Sequence, residues 1–553
     1  MSKRSVIRRA GLLVIAAGLF ALFVLPFKGT VMKPAIAGPY FPEAKPAWVD
    51  CPDVGRDIGI ITVTNPTPKT YVVVTGTSLD RPHPMQGQQA QRATTVAYDY
   101  LTGPIPDPQN PGFYIPVWKV IDQNGAGIHL AVMSTAQYKR VFITRVTNAG
   151  GPNDPFFVFL DAIQINDTTP SLSQWTLSSS YVARINRANY VPKQEDIHAD
   201  VVVSGDSTKV AVVTYDNGDN GELPDLHPLI KCYPANQAVS TTATPSWWIR
   251  DTGVVGRWIH GATSGNALFV CGFSGAPPPV PGVPGTRRAR FRALDWSNGG
   301  SVSGWLPFDE TADTAESWFE NLTFVPGATP PIVSNPERVF VTGFGPVVNF
   351  DEPPPGQFRV TRSFRNPGAN LGVSSGDSPQ IGYAVAAQSG PIKQTNYATT
   401  GGDSVWDSLT GNEFTVWQYP QPDAGVVGAA FDVTLSPGGL DCYIAGRDDT
   451  GGPPRGWRVE KRDVGTLTLA WVGLPHNSTG NQAQANAVVT KNGTGGGHFV
   501  YVTGFVGPCL DAEWAGNRQD GLGMFTIAYN ENGTFLWQHR YDGDADHQCA
   551  CGS

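Results

Sequence analysis

Residues 499–507 read FVYVTGFVG, an apolar run that ends in glycine, and the chain writes this pattern repeatedly. Close copies are RVFVTGFG at 338–345, ALFVCGFSG at 267–275 and YVVVTGTS at 71–78. Looser copies are DCYIAGRD at 441–448, RVFITRVT at 140–147 and KVAVVTYD at 209–216. Self-similarity spread along a chain in this way indicates a repetitive fold, so the repeat decides the architecture.

Each apolar run belongs to a larger unit. An alternating segment precedes the run, as in QAQANAVVTKNGTGGGHFVYVTGFVG at 482–507, and this predicts a hairpin. A second hairpin with an Asp/Asn-and-Gly turn follows, and a Trp marks its returning strand, at Trp118, Trp305, Trp417 and Trp537. The unit is therefore four antiparallel strands, with predicted starts near 57, 127, 196, 257, 318, 380, 427 and 483.

Four-stranded units of this kind bury both faces by packing around a common axis. We therefore predict an all-β fold, a single β-propeller of seven or eight four-stranded antiparallel blades, with eight favoured. The apolar second strand would lie buried between neighbouring blades, and its Gly would sit where the blades crowd together. The rival interpretation is a set of unrelated sandwich domains that share a strand type.

The segment VYVTGFVG…DGLGMFTIAYNENGTFLWQHRYDG (500–543) resembles the bacterial SBBP-type repeats of secreted propeller proteins. The copies at 99–118 and 407–417 are more weakly similar to quinoprotein-type propeller repeats. The resemblance spans about residues 57–543 and implies an exported propeller. Quinoprotein dehydrogenases also use an adjacent Cys-Cys disulfide and a Ca²⁺ site with an Asp base; this chain has no adjacent cysteines.

The first 37 residues predict export. Lys3, Arg4, Arg8 and Arg9 form a basic segment, residues 11–26 are apolar, and Ala35-Ile36-Ala37 is a small-residue cleavage site. The interpretation is a signal peptide over 1–37, with an uncleaved membrane anchor as the alternative. The protein would be secreted, periplasmic or held at the cell surface, and an uncleaved N-terminal segment would be its membrane contact.

Charge and motifs narrow the function. Residues 1–37 carry six basic and no acidic side chains, so their removal changes the formal charge from −8 to −14. An acidic surface argues against nucleic acid as a partner. No His-Glu-x-x-His, phosphate loop or dinucleotide motif occurs. We predict a binding or structural module with a protein or polysaccharide partner; the alternative is a polysaccharide hydrolase or lyase, or a quinoprotein-like oxidoreductase.

Two groups of residues are candidate sites. The first strands of three units carry Ile-His, which predicts His129, His198 and His260 on one arc of the channel, as a metal site for Zn²⁺ or Cu²⁺ or as a hydrated lining. Gly59 and Glu320 would hold the same register in other blades. Alternating acidic residues predict a possible Ca²⁺ site, or a solvated turn, at Asp542, Asp544 and Asp546, and again at Asp216 and Asp219. No other cofactor is predicted, and the oligomeric state stays open.

The regions outside the repeats are a lead-in strand at 38–56, before the propeller at 57–543, and a cysteine-containing tail at 544–553. Residues 46–59 resemble 245–261, where one unit ends and the next begins, so Trp48 would be an outer-strand Trp of the last blade. Cys51 would then lie close to the tail, with a metal or redox role for the tail as the alternative.

We therefore predict a disulfide from Cys51 to Cys549 or Cys551 that closes the ring. A link over nearly the whole chain would stabilise the fold by about 3–5 kcal/mol, because it restricts the unfolded chain. Peptide mapping of the exported protein without reduction tests this, and the expected result is a Cys51 peptide joined to the tail. Recovery of Cys51 as a thiol in the native protein contradicts the prediction.

Overall fold

The computed structural model describes residues 54–541 with internal gaps. The residues left out are the two termini and 64–67, 81–89, 108–113, 123–124, 149–154, 166–175, 186–196, 217–225, 237–242, 276–285, 311–316, 327–336, 347–356, 366–369, 376–383, 390–393, 400–402, 408–411, 418–427, 449–455, 464–467, 474–482, 494–495 and 507–522. All regular structure in the described part is β-strand, and no helix there is long and apolar enough to cross a bilayer.

The strands form eight four-stranded antiparallel sheets, one per blade. In blades 1 to 4 they are β1 (Val54–Val63), β2 (Lys69–Asp80), β3 (Ala90–Asp99) and β6 (Trp118–Asp122); β7 (Ala126–Ser134), β8 (Lys139–Asn148), β9 (Phe156–Gln164) and β10 (Thr176–Ile185); β11 (Asp200–Val203), β12 (Lys209–Asp216), β13 (His227–Pro234) and β14 (Trp247–Arg250); β15 (Gly256–Thr263), β16 (Ala267–Ser274), β17 (Arg288–Asp295) and β18 (Phe308–Asp309). Blade 1 also carries a small inserted hairpin, β4 (Ile105–Pro106) and β5 (Tyr114–Ile115).

Blades 5 to 8 repeat the order, and their described residues form no further strands. Their strands are β19 (Trp318–Val325), β20 (Arg338–Pro346), β21 (Gln357–Arg365) and β22 (Asn370–Ser375); β23 (Ala384–Ser389), β24 (Gln394–Thr399), β25 (Asp403–Asp407) and β26 (Asn412–Trp417); β27 (Gly428–Leu435), β28 (Asp441–Asp448), β29 (Gly456–Asp463) and β30 (Leu469–Val472); β31 (Ala483–Asn492), β32 (His498–Val506), β33 (Gly523–Asn530) and β34 (Phe535–Tyr541).

The first strand of every blade contacts the first strand of the next, and β31 contacts β1, so the eight sheets form a closed β-propeller. The predicted fold is confirmed with eight blades, and the predicted unit starts fall within four residues of the observed first strands. One prediction within the repeat is wrong: Trp305 precedes the two-residue strand β18, whereas Trp118, Trp417 and Trp537 lie on fourth strands.

The hydrophobic core lies between the blades. Each large apolar cluster joins two neighbouring blades, as where Phe142 of blade 2 packs with Val210 and Val212 of blade 3. The apolar second strand contributes to the cluster on each of its two faces: Val72 and Val74 of β2 face blade 8, while Val73 faces blade 2. Burial on both faces explains why this strand is a continuous apolar run.

The Gly that ends each apolar run lies opposite a β-bulge in the first strand. Gly76, Gly272, Gly343, Gly446 and Gly504 each pair with the residue directly before a bulge. A Cβ at Gly272, Gly343 or Gly504 would strike the first-strand carbonyl oxygen of Arg257, Trp318 or Gln484. In blade 2 the Gly is on the other strand, since Arg145 pairs with Gly127. The repeat therefore requires Gly because the bulged strand approaches too closely for any side chain.

A second repeated contact, here called the Trp–Gly lock, joins blades at the rim. The fourth-strand Trp of one blade packs on a Gly with positive φ in the last turn of the next blade: Trp247 on Gly299, Trp471 on Gly533 and Trp537 on Gly103. The indole N–H of the same Trp donates to a carbonyl in that turn, at Trp296, Glu531 and Tyr100 respectively. The lock explains why the sequence repeat couples a Gly turn with a Trp.

The ring closes without sharing strands between its ends, because blades 1 and 8 are each built from consecutive strands. Trp537 on β34 occupies the outer-strand position of blade 8 and forms the lock with Gly103. Trp48 lies outside the described residues, and its predicted place on the last blade stays a prediction. Two further hydrogen bonds cross the junction, from Asn486 Nδ2 to the Gly55 carbonyl (2.9 Å) and from the Tyr501 hydroxyl to the Tyr100 carbonyl (2.9 Å).

We predict that Gly299→Ala destabilises the protein by about 2–5 kcal/mol, because a Cβ there has an unfavourable positive φ and would lie 2.8 Å from the Trp247 ring. The matched control is Gly496→Ala, a positive-φ Gly with open space around its Cβ, which loses only the conformational term of about 1–2 kcal/mol. Denaturant unfolding of both variants measures the difference, and equal losses would contradict the lock.

Candidate functional site

Five ionisable residues share one level of the channel, each on a different innermost strand. Asp57, His129, His260 and Asp432 directly follow the first-strand bulge of blades 1, 2, 4 and 7. Asp200 holds the same position in blade 3, since it begins the paired part of β11 and contacts the next blade as Asp57 and Asp432 do. The bulge therefore sets which side chain of each first strand reaches this level.

The three carboxylates tie neighbouring blades together through backbone amides. One oxygen of Asp57 accepts the N–H of Ile58 in its own blade, and the other accepts the N–H of Leu130 in blade 2, both at 2.8 Å. Asp200 binds Val201 and Gly261 of blade 4 in the same way, at 2.8 Å each. Asp432 binds Val433 at 2.9 Å and Val488 of blade 8 at 2.8 Å.

Two imidazoles lie beside these carboxylates. His260 Nδ1 is 2.5 Å from Asp200 Oδ2, and His129 Nδ1 is 3.5 Å from Asp57 Oδ2. The two rings are nearly parallel, with centroids 6.2 Å apart, although they come from blades 2 and 4. Their side chains keep 30% and 26% of their exposure, whereas Asp200 is buried. The rings therefore face the channel while the carboxylate behind them is enclosed.

The charges in the cluster stabilise one another. Burial alone would raise the pKa of Asp200, but the charge and hydrogen bond of His260, with a smaller contribution from His129, hold it below its usual value. Burial disfavours the charged form of His260, yet Asp200, then Asp57 and Asp432, raise its pKa above the usual value. The carboxylates of the cluster therefore favour the protonated form of His260.

The structure corrects the predicted histidine register. His198 lies two residues before Asp200, and its carbonyl accepts a hydrogen bond from the Thr214 hydroxyl (2.9 Å). Asp57, not Gly59, holds the register in blade 1, and Glu320 is the bulged residue itself, followed by Asn321 at that level. The bulge accounts for the shift from Glu320 to Asn321, whereas the two-residue shifts at His198 and Gly59 come from aligning the repeated Ile-His pairs.

The stacked pair has an unfavourable geometry for one metal ion. The lone pairs of imidazole lie in the ring plane, so two nearly parallel rings direct them side by side and not toward one point. Within the described segments, no group of three or more His, Cys, Asp or Glu side chains is arranged to hold a metal ion. Zn²⁺ or Cu²⁺ binding by His129, His198 and His260 stays a prediction.

The remaining candidate residues fall elsewhere. Asp216 ends β12 and pairs with Arg250 Nε at 2.7 Å, so its carboxylate has a cationic partner. Asp219, Asp542, Asp544 and Asp546 lie outside the described residues, as do Cys51, Cys549 and Cys551. Cys232 and Cys271 are buried thiols, and burial, opposed by Lys209, raises the pKa of Cys232 to about 12. A thiol with so high a pKa is a poor nucleophile.

The three axial carboxylates were not among the residues predicted from the sequence. A usable signal was present, because Asp57, Asp200 and Asp432 each precede Ile or Val in the first strand of a unit. An Asp inside a strand runs against β propensity, so its repetition there indicates a specific partner. The partner, an amide of the following blade, is visible only in the folded ring.

No known family profile matches the chain, and no curated protein matches it in sequence. Among solved structures, Sqt1 from Saccharomyces cerevisiae is similar at 11% identity and TM-score 0.44, covering 87% of this chain and 97% of that one. Sqt1 from Chaetomium thermophilum, bound to the N-terminus of ribosomal protein L10, is similar at 10% identity and TM-score 0.36, covering 82% of this chain and 95% of that one. The periplasmic gluconolactonase PpgL of Pseudomonas aeruginosa is similar at 11% identity and TM-score 0.35, covering 73% of this chain and 96% of that one. Likeness at this level says nothing of function.

We predict that Asp200→Asn destabilises the protein by about 3 kcal/mol at pH 6 and by less at pH 8.5. The sign follows from His260: a raised pKa in the fold gives stability that is present below pH 6.5 and lost as the pH rises through the folded value. The control is Asp432→Asn, which disturbs the same type of amide bridge but contributes less than Asp200 to the raised pKa of His260, and its loss should depend less on pH. A loss for Asp200→Asn that is equal at both pH values contradicts the ion pair.

Proposed function

We propose that the protein is an exported β-propeller that acts as a binding module for another protein of the cell envelope or of an extracellular assembly. The signal-like residues 1–37 support export. The axial carboxylates support a scaffold, because each is engaged by backbone amides of two blades. The observation that carries the proposal lies at the rim.

The rim surface is defined by Leu469 and Val472 on β30 and Phe535 on β34, in the neighbouring blades 7 and 8; Trp248 on β14 of blade 3 is exposed in the same way. These are four of the eight large apolar side chains that are strongly exposed among the described residues, and Trp248 keeps 58% of its exposure. Each lies on the fourth strand of its sheet, whose outer edge has no further strand. Exposed apolar side chains on an open strand edge suit an extended segment of a partner protein.

A second candidate function rests on the channel. The carboxylate of Asp200 holds one nitrogen of His260 while the ring faces the channel, an arrangement that general bases use in hydrolases. This observation favours the enzyme alternative, a hydrolase or lyase acting on polysaccharide. It competes with the structural role of the same carboxylate, which also binds the Gly261 amide.

Capture experiments with matched variants separate the two. The rim variant is Leu469→Ser with Val472→Ser and Phe535→Ser; its control is Leu440→Ser, an apolar residue with 74% exposure on a first-hairpin turn. The axial variant is His129→Gln with His260→Gln. We expect a partner cross-linked from the source organism's envelope or medium by the parent, the control and the axial variant, with at least tenfold lower yield for the rim variant. Loss in the axial variant alone would contradict rim binding.

A polysaccharide hydrolysis assay on the same proteins tests the second candidate. The binding proposal expects no turnover that depends on His260. Turnover by the parent that disappears in the axial variant would instead identify the channel as an active site. N-terminal sequencing of the protein recovered from its producing cells tests export separately, with Gly38 as the expected first residue; a start at Met1 contradicts cleavage.

A further inference from the structure

We propose that the junction of blades 8 and 1 is a pH-sensitive latch held by neutral His539, and that the ring opens there when this imidazole takes up a proton. Such a latch needs no binding partner. No strand is shared between the first and last blades, so side chains must hold blade 8 against blade 1.

His539 on β34 of blade 8 is buried, and both of its ring nitrogens bind blade 1. Nδ1 lies 3.0 Å from the Tyr98 hydroxyl of β3, and Nε2 lies 3.0 Å from the Tyr114 carbonyl of β5. A carbonyl only accepts, so Nε2 carries the hydrogen and Nδ1 accepts from the Tyr98 hydroxyl. An added proton can go only to Nδ1, where the Tyr98 hydroxyl must turn from donor to acceptor, and the positive charge then lies buried between the two blades.

No carboxylate compensates such a charge. The polar and ionisable groups near the imidazole are Tyr98 and Asp99 of blade 1, Tyr501 and Thr526 of blade 8, and its strand neighbour Arg540. Asp99 Oδ1 accepts the amides of Leu101 and Thr102 in its own turn. No ion pair joins His539 to an acid in the described part of the chain. Burial therefore lowers the pKa of His539 to about 4, with the Tyr114 carbonyl acting in the opposite direction.

The neighbouring junction provides a contrast. Blades 7 and 8 are also joined by a Trp–Gly lock, and His498 lies there with Nε2 bonded to the Tyr443 hydroxyl. Its Nδ1, however, is 3.3 Å from Glu531 Oε2. A proton on His498 has a carboxylate partner, whereas a proton on His539 has none. Burial lowers the pKa of His498 as well, with Glu531 opposing the shift, so acid weakens both junctions and weakens the junction of blades 8 and 1 more.

The direction and size of the pH effect on opening follow from the pKa of His539 in the open and the closed ring. In the open ring His539 has its ordinary pKa of 6.5, and in the closed ring about 4. The stabilisation by the neutral imidazole is complete above pH 6.5 and is lost as the pH falls toward 4. One proton taken up on opening raises the opening equilibrium about 20-fold between pH 7 and pH 5.

Hydrogen exchange measured by mass spectrometry at pH 7 and pH 5, corrected for intrinsic rates, tests the latch. We expect β1 and β34 to lose protection about 20-fold at pH 5, while β14 and β15, at the junction of blades 3 and 4, keep theirs. His539→Gln should remove the pH response of β1 and β34. The matched variant His498→Gln should retain it. Equal acid sensitivity at both junctions, or a response that persists in His539→Gln, overturns the proposal.

A second variant decides the matter should His539→Gln fail to fold. Tyr98→Phe removes the hydroxyl that bonds Nδ1 in either protonation state and keeps the imidazole in place. The acid-dependent loss of protection in β1 and β34 should persist, because the buried charge drives it and this hydrogen bond does not. Loss of the response in Tyr98→Phe, with His539 still present, contradicts the latch.

Discussion

The close approach between the bulged first strand and the glycine of the second strand is the constraint on which the rest of the propeller depends. The bulge needs space that only Gly provides, and the Gly sits in an apolar strand buried on both faces. This pairing recurs in five blades and fixes which first-strand side chain points to the channel. The close packing of the bulge on Gly therefore decides which side chains line the channel.

Neighbouring blades are held at two radii. At the axis, carboxylates of blades 1, 3 and 7 bind amides of the following blades, and at the rim an indole rests on a turn glycine. Apolar clusters fill the space between these two contacts. The polar groups of the channel thus have structural partners, and the exposed apolar side chains gather on the outermost strands. This division of roles is why we assign recognition to the rim.

The periodic part of the structure could be predicted from sequence because it is local. VYVTG strands, hairpin turns and Trp spacing predicted four-stranded units, and eight of them were found. The candidate site could not, because a bulge moves the register by one residue without changing the sequence pattern. Asn321 replaces Glu320 at that level for this reason. His198 lies two residues before Asp200, and the paired part of that strand has no bulge. Contacts between the two ends, such as His539 with Tyr98, join residues too far apart for any local pattern to indicate.

Residue-resolved hydrogen exchange at the axial amides tests the central claim, that carboxylates tie blades 1, 3 and 7 to the blades that follow them. The amides of Leu130, Gly261 and Val488 are the ones bound by Asp57, Asp200 and Asp432. The account predicts slow exchange at all three in the parent protein, and acceleration at Val488 alone when Asp432 is replaced by Ala. Fast exchange at these amides in the parent, or an unchanged rate at Val488 in the variant, would contradict it.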